Sequence, residues 1–120
     1  MLVAWLFVGC VVVSLYQAGL GVFAGAENFV THRDWGYLFG ALTLVLLLLG
    51  SVGRLPMRFL GMAAALLGLF ALQSVLVTFG ADAPYVAALH AVNGFVILGA
   101  GLWLAWRSTK HVRGEIVRST

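Results

Sequence analysis

The sequence predicts an all-α fold, a bundle of four membrane-spanning helices built from two parallel two-helix repeats. Hydrophobic residues make up 62% of the 120-residue chain and charged residues 9%, whereas a typical soluble domain has about 25% charged residues. So few polar side chains could not cover the surface of a soluble fold. A spanning helix needs about 20 mainly apolar residues. Four such stretches occur, at about Leu2–Gly25, Trp35–Gly53, Phe59–Gly80 and Tyr85–Trp106.

The first stretch is predicted to be a retained spanning helix rather than a signal peptide. No basic segment precedes it, and its apolar run is too long for a signal sequence. The lone Cys10 inside this run is most simply a small packing residue.

The start of the second helix has two readings. In the favoured one the helix begins near Ala26–Asn28, so that His32 lies inside it. In the other, Thr31 is the N-cap with Asp34 at the third position, and His32 lies at the rim. The third stretch begins just after Arg58. The fourth helix is predicted to start at Asp82-Ala83-Pro84, because proline is tolerated in the first turn.

Basic residues are distributed unevenly between the two ends of the predicted bundle. Six lie beside the second connection or after the fourth stretch: Arg54, Arg58, Arg107, Lys110, Arg113 and Arg118. The opposite end carries only Arg33. The positive-inside rule then predicts a multi-pass protein of the inner (cytoplasmic) membrane with both termini cytoplasmic. Residues 1–106 would form the transmembrane domain and residues 107–120 a basic cytoplasmic tail. The lipid bilayer is the expected partner, and nucleic-acid binding is not expected.

The two halves of the chain share an order of features. A glutamine precedes a phenylalanine by six residues in each half, as Gln17 with Phe23 and Gln73 with Phe79. After an outward turn, a histidine is followed four residues later by a glycine, as His32 with Gly36 and His90 with Gly94. Such parallel repeats are related by a pseudo-twofold axis along the membrane normal. This axis would make the second and fourth helices face each other.

His32 and His90 are the candidate metal ligands. An imidazole within a membrane is expensive and usually has a task or a partner, and both lie near the outer ends of their helices. Gly36 and Gly94 leave room beside them for a flat ring. Zinc would need four compact ligands, whereas six-coordinate haem iron needs two axial side chains. The plainer alternative is that the glycines serve helix packing and that the histidines are solvated. His111 is predicted to be solvated in the tail.

Four further polar residues are candidates to support the site: Gln17, Gln73, Arg33 and Asn93. The glutamines are expected to hydrogen-bond across the bundle, in support of the site or simply as helix-packing contacts. Arg33 would either pair with a haem propionate or be solvated. Three tryptophans are interpreted as interfacial anchors: Trp35, Trp103 and Trp106.

Several segments resemble one four-helix half of haem A synthase. Leu72–Leu76, the turn through Pro84, and Val86–His90 resemble the third and fourth helices of that half, and Thr31-His32-Arg33 with Gly36 resembles its second-helix motif. Short uncharacterised four-helix bacterial membrane proteins are also similar. The resemblance implies axial ligation of one haem near the outer face by His32 and His90. It covers only one half of that enzyme, lacks its outer-loop cysteine pair, and has its nearest acid, Glu27, five residues before His32. The hydroxylation chemistry is therefore not carried over.

These observations predict a small b-type cytochrome for electron transfer or haem handling, not necessarily an enzyme. Its partners would be a redox protein, a quinone or a second copy of the chain. One alternative is a membrane anchor subunit that packs against a partner. A multidrug-type exporter is the other, but it needs a membrane-embedded carboxylate, and no apolar stretch contains one.

Overall fold

The computed structural model describes residues 1–80 and 82–119, with side chains described as far as Gly114. Its elements are α1 (Leu2–Phe23), α2 (Asn28–Val52), α3 (Met57–Thr78) and α4 (Pro84–Ser119). The described part is helical without strands, which confirms the all-α prediction. All four helices are long and apolar enough to cross a membrane, so the chain is that of a multi-pass membrane protein. Arg118, counted above among the basic residues, and Thr120 have side chains outside the described part.

The apolar stretches locate α1 and α3 closely but underestimate α2 and α4. The helix α2 begins before the apolar run at Trp35, and α4 continues past Trp106 to Ser119. Hydropathy marks the part of a helix that lies in hydrocarbon, whereas the backbone hydrogen bonds of the helix can continue into polar surroundings. The predicted boundary between residues 106 and 107 is therefore not the end of a helix, because α4 continues through it.

The turn before α2 explains why this helix begins early. Gly25 has a φ of +132°, a conformation that a side chain would hinder. The amide nitrogen of the Asn28 side chain donates to the Gly25 carbonyl at 3.0 Å. A Cβ at Gly25 would overlap the Glu27 carboxylate, so this acid belongs to the turn. The predicted start near Ala26–Asn28 is confirmed, and the alternative with Thr31 as N-cap is wrong. Pro84 begins α4 as predicted.

The helices form a ring in which each contacts its two neighbours. The contacting pairs are α1 with α2, α2 with α3, α3 with α4, and α4 with α1. Because the connections are short, adjacent helices run antiparallel. The helices α2 and α4 therefore lie on one diagonal of the bundle and face each other across its interior.

Aromatic side chains fill the middle of the bundle. The Phe7 ring is fully buried, and its centroid lies 5.9 Å from those of both Phe39 and Phe70. The rings of Phe39 and Phe70 meet edge to face at 5.1 Å, an arrangement that aromatic pairs prefer. Gly101 on α4 lets this cluster pack closely, because a Cβ there would lie 3.0 Å from the Phe7 ring.

The first turns of α4 beyond Trp106 still pack against the bundle. The indole nitrogen of Trp5 donates to the Thr109 hydroxyl at 3.0 Å. The His111 ring centroid lies 5.3 Å from that of Phe59, and His111 is only partly exposed. His111, which is predicted to be solvated in the tail, is thus only partly exposed, because the helical continuation of α4 holds this residue against α3.

Candidate functional site at the histidine pair

His32 and His90 meet inside the bundle near one end. His32 is in the second turn of α2, and His90 lies at a similar distance from the start of α4. Their ring centroids are 6.0 Å apart, and the ring planes are inclined by 76°. The two histidines that the sequence singled out are thus neighbours across the α2–α4 diagonal.

The His32 ring is oriented by α1. Its Nδ1 donates to the backbone carbonyl of Ser14 at 2.8 Å, and the Ser14 hydroxyl lies 3.2 Å from the same nitrogen. A carbonyl can only accept, so this contact places the proton of a neutral imidazole on Nδ1. The Nε2 atom of His32 is then the nitrogen that has a lone pair to offer.

The His90 ring is oriented by α3 in the same manner. Its Nδ1 donates to the backbone carbonyl of Gln73 at 3.1 Å. The Gln73 side-chain nitrogen donates in return to the His90 carbonyl at 3.0 Å. These two bonds join α3 and α4 at the level of the site, and they select the same tautomer for His90 as for His32.

Asn93 completes the polar layer behind His90. It is nearly buried, and its side-chain nitrogen donates to the Leu69 carbonyl at 2.9 Å and to Gln73 Oε1 at 2.6 Å. The oxygen and nitrogen of the Gln73 amide are therefore both bonded, which holds this side chain in one orientation. Asn93 acts on the site through Gln73 rather than by touching the space beside the histidines.

Trp35 occupies the position on α2 that corresponds to Asn93 on α4, three residues after the histidine. Its indole nitrogen donates to the Cys10 carbonyl at 3.0 Å, and its ring centroid lies 6.1 Å from that of Phe39. The interpretation of Trp35 as an interfacial anchor is therefore wrong. The partly buried ring packs toward the core, and its N–H finds an acceptor on α1.

A cavity of about 350 Å³ lies beside the histidine pair, between α2 and α3. Its wall is mainly apolar, and Phe39 and Phe70 belong to it. The polar or glycine positions that line it include His32, Arg33, Gly36, Gln73, His90 and Gly94. Among the described residues, no Asp or Glu lines this cavity.

The two glycines differ in how much space surrounds them. A Cβ at Gly36 would meet nothing within 4 Å, so this position faces open space in the cavity. A Cβ at Gly94 would lie 3.7 Å from the Gln73 side-chain nitrogen, which is ordinary van der Waals contact. Gly36 therefore contributes free volume to the cavity, whereas Gly94 packs beside the Gln73 side-chain amide.

Arg33 and Gln17 are placed differently from the other candidates. Arg33 lines the cavity while its Nη2 pairs with Asp34 Oδ1 at 2.9 Å, and both side chains are exposed. Gln17 does not line the cavity, and its buried Oε1 has no hydrogen-bond partner among the described residues. Among the described residues, the expectation of bonds across the bundle holds for Gln73 but not for Gln17. In the first half of the chain, Ser14 supplies the carbonyl for the histidine instead.

The sequence did not reveal Ser14, Leu69 or Cys10 as parts of the site. Each of them accepts through its backbone carbonyl, and every residue carries this group. No residue type is required at such a position, so no pattern could have found them. Within the described residues, no three side chains from His, Cys, Asp and Glu come together to hold a metal ion. The imidazole pair remains the candidate ligand set at this site.

The fold and the site define a class of protein, a four-helix membrane bundle with an internal histidine pair beside an apolar cavity. The chain belongs to a family of unknown function (DUF6220), whose profile matches residues 14–80. This segment contains His32 and Gln73 and ends before α4, so His90 lies outside it. No curated protein and no solved structure matches the chain.

Proposed function

We propose that the protein is a small membrane cytochrome in which His32 and His90 hold one b-type haem as axial ligands. The observation that carries this proposal is the spacing and bonding of the two imidazoles. Their centroids are 6.0 Å apart, and each Nδ1 is bonded to a backbone carbonyl of the preceding helix.

The spacing fits two ligands on opposite sides of one metal. A metal–imidazole nitrogen bond is about 2 Å long, so the ring centroids of two opposed imidazoles lie roughly 6 Å apart. The distance of 6.0 Å between the His32 and His90 centroids agrees with this value. Steric contact alone would permit closer packing of two rings.

The bonding prepares both rings to act as ligands. Metal-binding histidines usually donate their other N–H to a carbonyl or carboxylate, which fixes the tautomer and raises the basicity of the ligating nitrogen. Ser14 and Gln73 supply such carbonyls here. Asn93 and Gln73 hold the α3–α4 side of this arrangement by three further bonds.

The cavity supports a large, flat and mainly apolar ligand. Its volume of about 350 Å³ lies within the range of small-molecule sites, about 300–1,000 Å³. Its apolar wall would exclude water from the ligand faces. Arg33, at the cavity rim, would exchange its Asp34 partner for a propionate. When bound, haem iron supplies one-electron chemistry. The proposed role is electron transfer or haem handling. The proposed partner is a redox protein, a quinone or a second copy of the chain.

A repeated arrangement of hydrogen bonds supports the two-repeat architecture. In each half, a histidine donates to a backbone carbonyl of the preceding helix. The residue three positions after the histidine also donates to that preceding helix, at the carbonyl four positions before the one that the histidine uses. The first set is His32 to Ser14 with Trp35 to Cys10, and the second is His90 to Gln73 with Asn93 to Leu69. The repeats would place Ser14, not Gln17, in correspondence with Gln73. The proposed relationship to one half of haem A synthase rests on the sequence motifs around His32 and His90.

The proposed location is the inner membrane with both termini in the cytoplasm, so that the haem lies near the outer face. The distribution of basic residues supports this orientation.

An absorption spectrum of the purified full-length protein, reduced minus oxidised, tests the proposal after expression with adequate haem. The wild type should give the spectrum of a low-spin b-type haem. His32→Ala and His90→Ala should each remove one ligand, and the haem should be released or become high-spin. His111→Ala is the matched control, since it removes a histidine at the other end of the bundle and should leave the spectrum unchanged.

Two results would contradict the proposal: a wild-type protein without haem bands, or low-spin spectra in both His32→Ala and His90→Ala. In either case the histidine pair would serve helix packing. Circular dichroism of each variant shows whether the helices remain folded, so that loss of haem can be separated from loss of structure.

A further inference from the structure

A second cavity lies at the opposite end of the bundle from the histidines. Its volume is about 410 Å³, and none of its lining residues belongs to the first cavity. Leu2 of α1, Leu49 of α2 and Ala63 of α3 contribute to its wall. The described wall is almost entirely apolar, and its Ser108 hydroxyl already donates to the Ala105 carbonyl of the same helix at 3.0 Å. The space therefore suits a hydrocarbon chain.

Two arginines are next in sequence to residues that line this cavity. Arg54 is between Gly53 and Leu55, and both of these line the cavity. The Arg58 guanidinium lies 5.1 Å from the ring centroid of Phe59, which is also part of the wall. The described acidic side chains, Glu27, Asp34 and Asp82, all belong to the turns or helix starts at the other end of the bundle. This end thus combines an apolar space with positive charge.

The backbone at Arg54 provides an independent observation. Its φ is +50°, the one positive φ of a non-glycine residue in the described chain. The turn is closed by the Leu55 amide, which donates to the Gly50 carbonyl at 2.9 Å. Helices commonly end with a glycine in this left-handed position, yet here the glycine comes one residue earlier. Backbone strain at a non-glycine residue supports the hypothesis that its side chain has a role.

We propose that this end of the bundle binds a phospholipid with an anionic headgroup. One acyl chain occupies the cavity, and the headgroup phosphate is bound by Arg54 and Arg58. In a bilayer, lipid chains are the molecules that reach an apolar recess on the surface of a helical bundle. Basic pockets between membrane helices are suited to anionic headgroups. This site is separate from the histidine pair and does not depend on haem.

Native mass spectrometry of the detergent-purified full-length chain tests the proposal. The protein is titrated with phosphatidylglycerol or phosphatidylcholine of the same acyl chains. Phosphatidylglycerol should bind more tightly to the wild type, and its affinity should fall about fivefold for each arginine replaced in Arg54→Gln and Arg58→Gln. Arg113→Gln is the matched control, with the same loss of charge on the exposed continuation of α4, and should keep the wild-type affinity.

Two more variants separate the charge from the cavity and from the fold. Ala63→Leu takes up part of the cavity without changing any charge, and should weaken the binding of both lipids. Arg54→Gly removes the charge and relieves the backbone strain, so it should lose lipid affinity while its thermal stability in detergent is unchanged or higher.

Equal binding of the two lipids by the wild type would overturn the proposal. So would wild-type affinity in Arg54→Gln and Arg58→Gln, or an Arg113→Gln variant that is affected as strongly as they are. A wild-type dimer that Ala63→Leu converts to monomer would assign the cavity to a second copy of the chain instead.

Discussion

Asn93 and Gln73 are the residues through which α3 and α4 are joined beside His90. The Asn93 nitrogen bonds both Leu69 and Gln73, and the Gln73 nitrogen bonds the His90 carbonyl. Removing one partner of such a network leaves acceptors without donors in a region that has little water. The stability of this helix pair and the orientation of the His90 ring should therefore change together.

Replacing Asn93 with alanine should destabilise the folded bundle by about 1–2 kcal/mol, since measured interhelical hydrogen bonds in membrane proteins are of this size or smaller. The free energy of unfolding in mixed detergent micelles measures the effect. Ser51→Ala is the control, because the Ser51 hydroxyl bonds only to Leu47 of its own helix. A loss in Asn93→Ala no larger than that in Ser51→Ala would show that the network contributes little.

Gly36 allows a test of the cavity without disturbing the packing. Because a Cβ there meets nothing within 4 Å and the residue lines the cavity, the side chain in Gly36→Leu should take up part of the cavity while the bundle stays folded. We expect haem binding, measured by absorbance, to fall at least tenfold. In Gly68→Leu, where a Cβ also meets nothing within 4 Å and the residue lies outside the cavity, haem binding should be retained. Full haem content in Gly36→Leu would place the ligand elsewhere.

At the scale of helices, α1 and α2 are held together at their connected ends by close contact between a glycine and an aromatic ring. A Cβ on Gly21 would lie 2.6 Å from the Phe29 ring, closer than two carbon atoms can pack. The same end contains the turn at Gly25 that starts α2 early. This contact therefore sets the approach of α2 to α1, and with it the reach of His32 toward Ser14.

Gly21→Ala should destabilise the protein by about 1–3 kcal/mol, because the added methyl group overpacks the contact with Phe29. The unfolding free energies of Gly21→Ala, Phe29→Ala and the double variant form a cycle that isolates this interaction. In the Phe29→Ala background, Gly21→Ala should cause little further loss of stability. Gly19→Ala, where a Cβ meets nothing within 4 Å, should be neutral or stabilising by up to about 1 kcal/mol. Equal effects at positions 21 and 19 would contradict the packing argument.

At the scale of the whole molecule, the two ends of the bundle differ in chemistry. One end holds the histidine pair, and the other holds the second cavity with Arg54 and Arg58 beside it. Trp103 and Trp106 lie near this second end, where their rings contact Arg107 and Lys110 at 5.9 Å and 5.0 Å. Such pairs of aromatic and cationic side chains are suited to a membrane interface.

The orientation of the molecule is tested by a reporter fused after Thr120. The unequal distribution of Lys and Arg predicts that a reporter active only in the cytoplasm will function there, and that one requiring export will not. A reporter inserted in the connection between α3 and α4 should give the opposite result. Export of the C-terminal reporter would reverse the proposed orientation.

The sequence alone determined the number of helices, their approximate positions and the residues worth testing. Twenty-residue apolar stretches are sufficient for this, because spanning a bilayer is a requirement on length and hydropathy. The start of α4 at Pro84 also followed from local chemistry, whereas the local capping signal at Thr31 pointed to a start of α2 that the structure does not have. The tertiary structure decided which faces of the helices turn inward. These helices are apolar on all sides, so no amphipathic pattern separates a lipid-facing side chain from an interior one.

For the same reason the sequence misplaced Trp35 and Gln17 and could not locate the two cavities. The sequence predicts an interfacial anchor at Trp35, whereas its indole reaches the Cys10 carbonyl inside the bundle. The repeat pattern pairs Gln17 with Gln73, whereas a backbone carbonyl of Ser14 holds His32. The distance of 6.0 Å between the histidine rings arises from how four helices pack. Packing and backbone acceptors depend on the position of a residue in space, which the order of residues along one helix does not record.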